Sequence, residues 1–391
     1  MNGNATLAGN DCFSKNNGLD YLIMSAKLDQ LTTSDDHAEK RPLWLPNRYI
    51  LRLLVVALVV GAFMRFSGVN IGSLGQGLAY SLVGVSVFIT FRILQFPDLT
   101  VDGAFPIGGA VCAMLIVAGT SAELTLLTAF FVGALTGLVT ALITVFFRVE
   151  GLLSSIIVIT GAYTITLRVM DARSNVPLIG ERTILSPYQS SMRTWLVDNF
   201  GEEMRRQSNN LVEIVVFAVV VIAVLLLLNW FMHTELGLTI RAAGKNSQMV
   251  RSLGVNHHVM IILALMISNG LAGLAGSLAV QQLGFADVSL GFGIIIRGLA
   301  AVMIGEVLLR PRSIGQHILS SAMGMVIFDV SRAWVFAALD LPTTDIRLVS
   351  ALVVLAALAA PHLVERWQEW RKRANQSVET NDEEKETQKV A

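Results

Sequence analysis

Apolar residues in this chain come in long blocks, and charge is confined to the gaps between them. Ten blocks lie at about 49–66, 74–92, 103–119, 123–147, 152–169, 211–231, 259–283, 294–309, 314–336 and 346–363. Crossing a hydrocarbon core takes about 20 helical residues, and the blocks cluster around that length. Inside lipid, every backbone polar group must be satisfied within the protein, which leaves helices or closed barrels. Continuous rather than alternating apolar runs select helices. The pattern predicts an all-α polytopic membrane protein with about 10 transmembrane helices. Residues 1–48 read as a polar cytoplasmic extension, 49–364 as the transmembrane domain and 365–391 as a charged cytoplasmic tail.

Composition agrees: of 391 residues, 53% are hydrophobic and only 15% charged, where a soluble domain carries about 25% charged residues. The net charge of zero gives no footprint for a nucleic-acid partner. Cys12 and Cys112 form neither a disulfide framework nor a metal site, and the only adjacent histidines are His257 and His258. No nucleophile–base pair or metal-ligand cluster is present, so neither a catalytic nor a metal site is expected.

Lysine and arginine in short loops set the orientation. With both termini cytoplasmic, fourteen basic residues flank the inner ends: Lys40, Arg41, Arg48, Arg92, Arg148, Arg241, Lys245, Arg251, Arg310, Arg312, Arg366, Arg371, Lys372 and Arg373. Five lie outside (Arg173, Arg182, Arg193, Arg205 and Arg206), all in one loop after the fifth block. Five blocks precede that loop and five follow it. An odd number per half turns the second half upside down relative to the first, which predicts an inverted 5+5 repeat.

One local echo supports the repeat. Asp98-Leu99-Thr100-Val101 lies between blocks two and three, and Asp287-Val288-Ser289-Leu290 lies between blocks seven and eight. Both read acid, aliphatic, hydroxyl, aliphatic. Around the first copy, Pro97, Gly103, Pro106, Gly108 and Gly109 predict a short, broken start to block three. Non-helical backbone at membrane depth is tolerated where it lines a water-filled path or is covered by protein. Asp98, Thr100, Asp102, Gly103, Asp287 and Ser289 are therefore the candidate translocation-path residues, with a plain capped turn as the alternative.

Elsewhere, Asp329 and Arg332 share a helix face and are expected to pair inside the bundle. Arg168 and Asp171 have the same spacing and are expected to pair at the outer end of block five. Gly133 and Gly137, and Gly270, Gly273 and Gly276, put small residues on single faces for close helix packing. Met192, Trp195, Leu196 and Phe200 make a weak amphipathic stripe in the outer loop.

The longest basic, glycine-punctuated loop runs from Glu235 to Gly254, with Val255 and Asn256 after it. It is too short and too charged to cross a bilayer. Ile240, Ala243, Val250 and Leu253 predict a short amphipathic helix interrupted at Gly244, lying on the cytoplasmic surface with its apolar face needing cover. Gly244-Lys245-Asn246 looks like part of a phosphate loop, but Thr239 and Asn246 replace its first glycine and its hydroxyl.

Gly237-Leu-Thr-Ile-Arg241-Ala-Ala-Gly244-Lys-Asn246, followed by Leu253-Gly254-Val255-Asn256 and a Gly/Ala-rich span, resembles the coupling loop of ABC importer permeases of the branched-chain amino acid and ribose type. Asp98-Leu99-Thr100 resembles a segment of the ribose-type members, and Phe96 to Gly103 is most similar to a branch described as uncharacterised or tryptophan/tyrosine-type. The resemblance covers about residues 72–360. It implies a permease subunit that translocates a small solute, an amino acid or related compound, across the bacterial inner membrane. Glu235, Gly237, Arg241, Gly244, Asn246, Arg251 and Gly254 would then form the surface that docks to the ATPase. The implied partners are a cytoplasmic ABC ATPase, a second permease chain in a homodimer, an extracytoplasmic solute-binding protein and membrane lipid. ATP would be hydrolysed on the separate ATPase, with no cofactor in this chain. The alternatives are an ion-coupled secondary transporter with inverted repeats and a membrane-embedded enzyme, for which the chain lacks a catalytic cluster.

Overall fold

The computed structural model of the chain describes residues 48–67, 71–189, 194, 205–339, 345, 348–356 and 359. The chain divides into two compact units, Met1–Leu51 and Arg52–Ala391. Of the first unit only residues 48–51 are described. Apart from Arg48, the expected N-terminal extension lies outside the described residues. So do the tail and the outer-loop residues Met192, Trp195, Leu196 and Phe200.

The helices fall on the apolar blocks to within a few residues. They are α1 (Arg48–Ser67), α2 (Gly72–Val87, continued by a π-helical stretch Phe88–Ile93), α3 (Val101–Val117), α4 (Ala122–Phe146) and α5 (Gly151–Val169). After the outer loop come α6 (Arg205–His233), two short helices α7 (Glu235–Lys245) and α8 (Ser247–Ser252), then α9 (His257–Leu283), α10 (Ile294–Leu309) and α11 (Ile314–Leu339). Residues 348–356 are helical as well. Among the described residues, seven helices are long and apolar enough to cross a membrane. The chain is a polytopic all-α membrane protein.

Two corrections to the expected architecture concern local backbone. First, α3 is not broken: it starts at Val101 and runs through Pro106 to Val117. Pro106 removes one donor, the N–H that would reach the Asp102 carbonyl one turn back. That carbonyl instead sits where a side chain on Gly291 would clash. Gly108 and Gly109 serve packing rather than breaking. Second, Asn175–Pro177 (β1) and Phe285–Asp287 (β2) pair antiparallel, tying the outer loop to the segment after α9. A three-residue pairing carries no periodicity that a sequence could show.

The core is two three-helix packets, each pulled tight by glycines. In the first, Gly108 of α3 and Gly133 of α4 both lie against Gly273 of α9, and Gly137 lies against the Leu265 carbonyl. In the second, Gly84 of α2 meets the Ser321 carbonyl of α11, and Gly324 of α11 meets the Ala301 carbonyl of α10. Small residues let backbones approach, and close approach is what drives helix association where lipid is as apolar as the side chains. The packets join where α2 meets α9, at a buried Ser86–Ser268 hydroxyl pair 2.9 Å apart.

Arg168 and Asp171 do not pair through their side chains among the described residues. Asp171 leaves the helix at φ 53°, and only its N–H reaches the Arg168 carbonyl, at 3.2 Å.

Candidate functional site

Two short helices, α3 and α10, meet at their N-terminal ends. α3 has 17 residues, roughly 25 Å and short of the ~30 Å core, while α10 has 16 and reaches membrane length only together with the 3-10 turn Val288–Gly291 before it. Each follows a return segment, 94–100 and 284–293, and each return segment carries one copy of the acid–aliphatic–hydroxyl echo.

The two copies fold the same way. Asp98 Oδ1 accepts from the Thr100 N–H at 2.8 Å, and Asp287 Oδ1 accepts from the Ser289 N–H at 2.7 Å. This is the Asx turn, in which a short carboxylate closes a loop onto the backbone two residues on. Beyond the turn they differ. Asp98 and Thr100 are fully buried. Asp98 Oδ2 accepts from the Asn269 side-chain amide at 2.7 Å, and the Thr100 hydroxyl pairs with that of Thr140 at 2.7 Å. Asn269 lies twelve residues into α9, so this turn sits about 18 Å along that helix. Ser289, half-buried, instead donates its hydroxyl to its own Asp287 Oδ1 at 2.5 Å.

The segments meet at Asp102. Its carboxylate, in the first turn of α3, accepts from the Ile295 N–H at 2.8 Å and from the Gly293 N–H at 3.2 Å. It therefore caps α10 from another helix and sits at the positive end of that helix's dipole. Gly293 turns into α10 at φ 75°, a conformation that favours glycine. Gly103 faces α5, where a side chain would come 3.0 Å from Ala162 Cβ.

The expected Asp329–Arg332 pair is present but secondary. Asp329 Oδ1 lies 2.8 Å from Arg297 and 3.3 Å from Arg332. The Arg297 guanidinium lies over the Tyr80 ring, 4.5 Å from its centre. The sequence reading missed Arg297 and Tyr80. The available signal was a lone arginine inside an apolar block, which needs a partner.

The basic loop is two helices, and their division is at Asn246 rather than Gly244. Thr234 caps α7 and Asn246 caps α8, the latter accepting from the Met249 N–H at 3.0 Å. Gly244 stays helical because its α-carbon rests on the Ile93 carbonyl and Leu94, leaving no room for a Cβ. Gly237 packs equally closely on the Phe231 carbonyl, and Gly254 ends α8 at φ 80°. Ile240, Ala243 and Val250 are buried as expected, but Leu253 is 69% exposed. Leu236 and Met249 are exposed as well, as are Glu235 and Arg251. The buried stripe is covered by the bundle itself, and other apolar side chains of α7 and α8 remain open.

Sequence comparison adds three findings. A family described as branched-chain amino acid transport system / permease component matches residues 70–358. The tyrosine transport system permease protein of Clostridioides difficile (strain R20291) is 34% identical over 288 residues, covering 74% of this chain and 90% of that protein. The ribose import permease protein of Escherichia coli (strain K12) is 25% identical over 274 residues, covering 67% of this chain and 78% of that one. No solved structure matches the chain.

Proposed function

The chain belongs to the branched-chain amino acid transport system / permease component family, and on that premise we propose that it carries an amino acid or related small solute inward, driven by ATP hydrolysed on a separate subunit docked at Glu235–Gly254. The premise makes it a multi-pass permease component of an ABC transporter in the bacterial inner membrane, one that works with an ATPase and a substrate-binding protein. The finer reading adds a homodimer of two such chains, both termini in the cytoplasm, and an aromatic amino acid as solute. The solute follows the relative named for tyrosine transport.

The observation that carries the ATPase reading is the seat of α7. Gly244 lies directly on the carbonyl of Ile93, the last residue of the π-helical end of α2. A push on α7–α8 is therefore passed backbone to backbone into α2, without a soft side chain between. The open apolar side chains Leu236, Met249 and Leu253, with Glu235 and Arg251 on the same two helices, form the surface for the pushing partner. In the same reading, Asp98, Thr100, Asp102, Gly103, Asp287 and Ser289 border the translocation path at the junction of α3 and α10. Movement there changes which side the path opens to.

The test is reconstitution with the ATPase and binding protein in liposomes, measuring labelled tyrosine uptake and ATP hydrolysis together. The double variant Arg241→Glu/Gly244→Leu is expected to remain in the membrane, to lose most uptake and to uncouple hydrolysis from it. Wild-type uptake in that variant would remove the coupling assignment.

A further inference from the structure

We propose that the end of the bundle bearing α7 holds a binding site for the phosphate headgroup of an anionic membrane lipid. A cavity of about 680 Å³ opens there between α7, the π-helical end of α2 and the connection from α10 to α11. Five cations line it, Arg92, Arg241, Lys245, Arg310 and Arg312, against one carboxylate, Glu306. That carboxylate is already engaged: Arg92 pairs with it, and His317 Nδ1 lies 3.6 Å away. Among the described residues, no ion pair involves Arg241, Lys245, Arg310 or Arg312. The cavity therefore gathers four cations that no acid among the described residues neutralises.

The walls say what kind of anion fits. Phe88, Ile93, Leu238 and Ile314 give the cavity an apolar side as well as a basic one. Ile93 and Ile314 are end residues of membrane-length helices and Phe88 lies within one of them, so the apolar side of the cavity continues from the membrane-spanning part of the bundle. Basic pockets between transmembrane helices at the membrane surface bind phosphate-bearing lipid headgroups, and the volume exceeds what a single free phosphate would fill. Ala242 and Lys245 of α7 line the cavity with Leu238 and Arg241, a stripe at helical spacing. The stripe differs from the buried one of Gly237, Ile240 and Ala243. It also differs from the exposed Leu236, Met249 and Leu253. Of the seven residues given to the ATPase surface, Arg241 alone also lines the cavity, and the inference does not depend on which solute is carried.

The test uses the full-length protein in phosphatidylcholine nanodiscs and measures binding of labelled cardiolipin. The variant Arg310→Gln/Arg312→Gln removes two cations outside the α7–α8 surface and is expected to weaken binding roughly tenfold or more. Arg310→Lys/Arg312→Lys, which keeps the charge, is expected to stay close to wild type. Wild-type binding should fall steeply as salt is raised. Unchanged binding in a folded Gln variant, or binding insensitive to salt, overturns the proposal. Full displacement by millimolar inorganic phosphate assigns the site to a free anion and overturns the lipid. A Gln variant that keeps the lipid but no longer captures the ATPase gives the pocket to a protein partner and overturns it as well.

Discussion

Asp98 and Asp287 make the same turn in opposite settings. Each carboxylate holds the N–H of a hydroxyl residue two positions on, and each turn launches a short helix into the bundle. Around Asp98 every remaining bond leaves the turn: to Asn269 on α9 and, through Thr100, to Thr140 on α4. Around Asp287 the side-chain bonds mostly fold back, with Ser289 giving its hydroxyl to the same carboxylate and a long 3.5 Å contact to Asn175 reaching outward, while the backbone ties the turn to the outer loop through the β1–β2 pairing and the Val288 N–H on the Ser174 carbonyl at 3.1 Å. The first turn is built into its helix packet by side chains; the second is held by backbone pairing to the outer loop. A local motif of four residues thus fixes the shape of a turn but not how firmly it is held.

The largest expected effect follows from that difference. Asp98→Ala leaves the Thr100 N–H without its acceptor and the Asn269 amide with only the Leu265 carbonyl, in a site closed to water. Orphaning buried donors costs about 1–3 kcal/mol each, so a total near 3 kcal/mol is expected. Asp98→Asn should cost less. The Asn269 side-chain oxygen is buried without a partner, and an amide at position 98 could donate to it once Asn269 rotates. Melting of the purified proteins should rank wild type above Asp98→Asn, and Asp98→Asn above Asp98→Ala. Equal stability of wild type and the alanine variant would mean that the turn is no more anchored than the one at Asp287.

What the sequence made legible divides along the same line. Contacts between near neighbours in the chain could be read: the helix spans, the echoed turns, and the buried face of Ile240, Ala243 and Val250. Contacts between distant elements could not. Thr140 and Asn269 look like ordinary polar residues in apolar helices, and nothing in their spacing points to Asp98. Arg297 outcompetes Arg332 for Asp329 because α10 and α11 cross there, which periodicity along either helix does not reveal. Glycine usually punctuates a helix, so the sequence alone puts the break at Gly244. Here it stays helical, since what the position requires is room for the Ile93 carbonyl.

Asp102 sharpens the comparison, because it joins the two settings. It stands four residues after Asp98 and caps the helix launched by the turn at Asp287. Asp102→Ala should cost about 1–2 kcal/mol, the range for losing a helix cap. It should also loosen 284–293 more than 94–100. Hydrogen exchange over the two segments measures this directly. Equal loss of protection in both would show that the junction moves as one piece and that the asymmetry of anchoring has no dynamic consequence.

The smallest effect belongs to Ser289, where the local and path-bordering roles come apart. Its hydroxyl serves only Asp287 among the described hydrogen bonds, while its N–H keeps the turn closed whatever the side chain. Ser289→Ala is therefore expected to cost less than about 1 kcal/mol, against a larger loss for Thr100→Ala, whose hydroxyl bridges to Thr140 in a buried site. Ser289→Asp tests the path. It puts a second carboxylate beside Asp287 in a half-buried position, and like charges at that distance repel. If the residue borders the route of the solute, uptake in liposomes slows while the amount of folded complex stays within the range of the alanine variant. If uptake by the folded Ser289→Asp protein is normal, Ser289 serves the turn alone and the path lies elsewhere along α10.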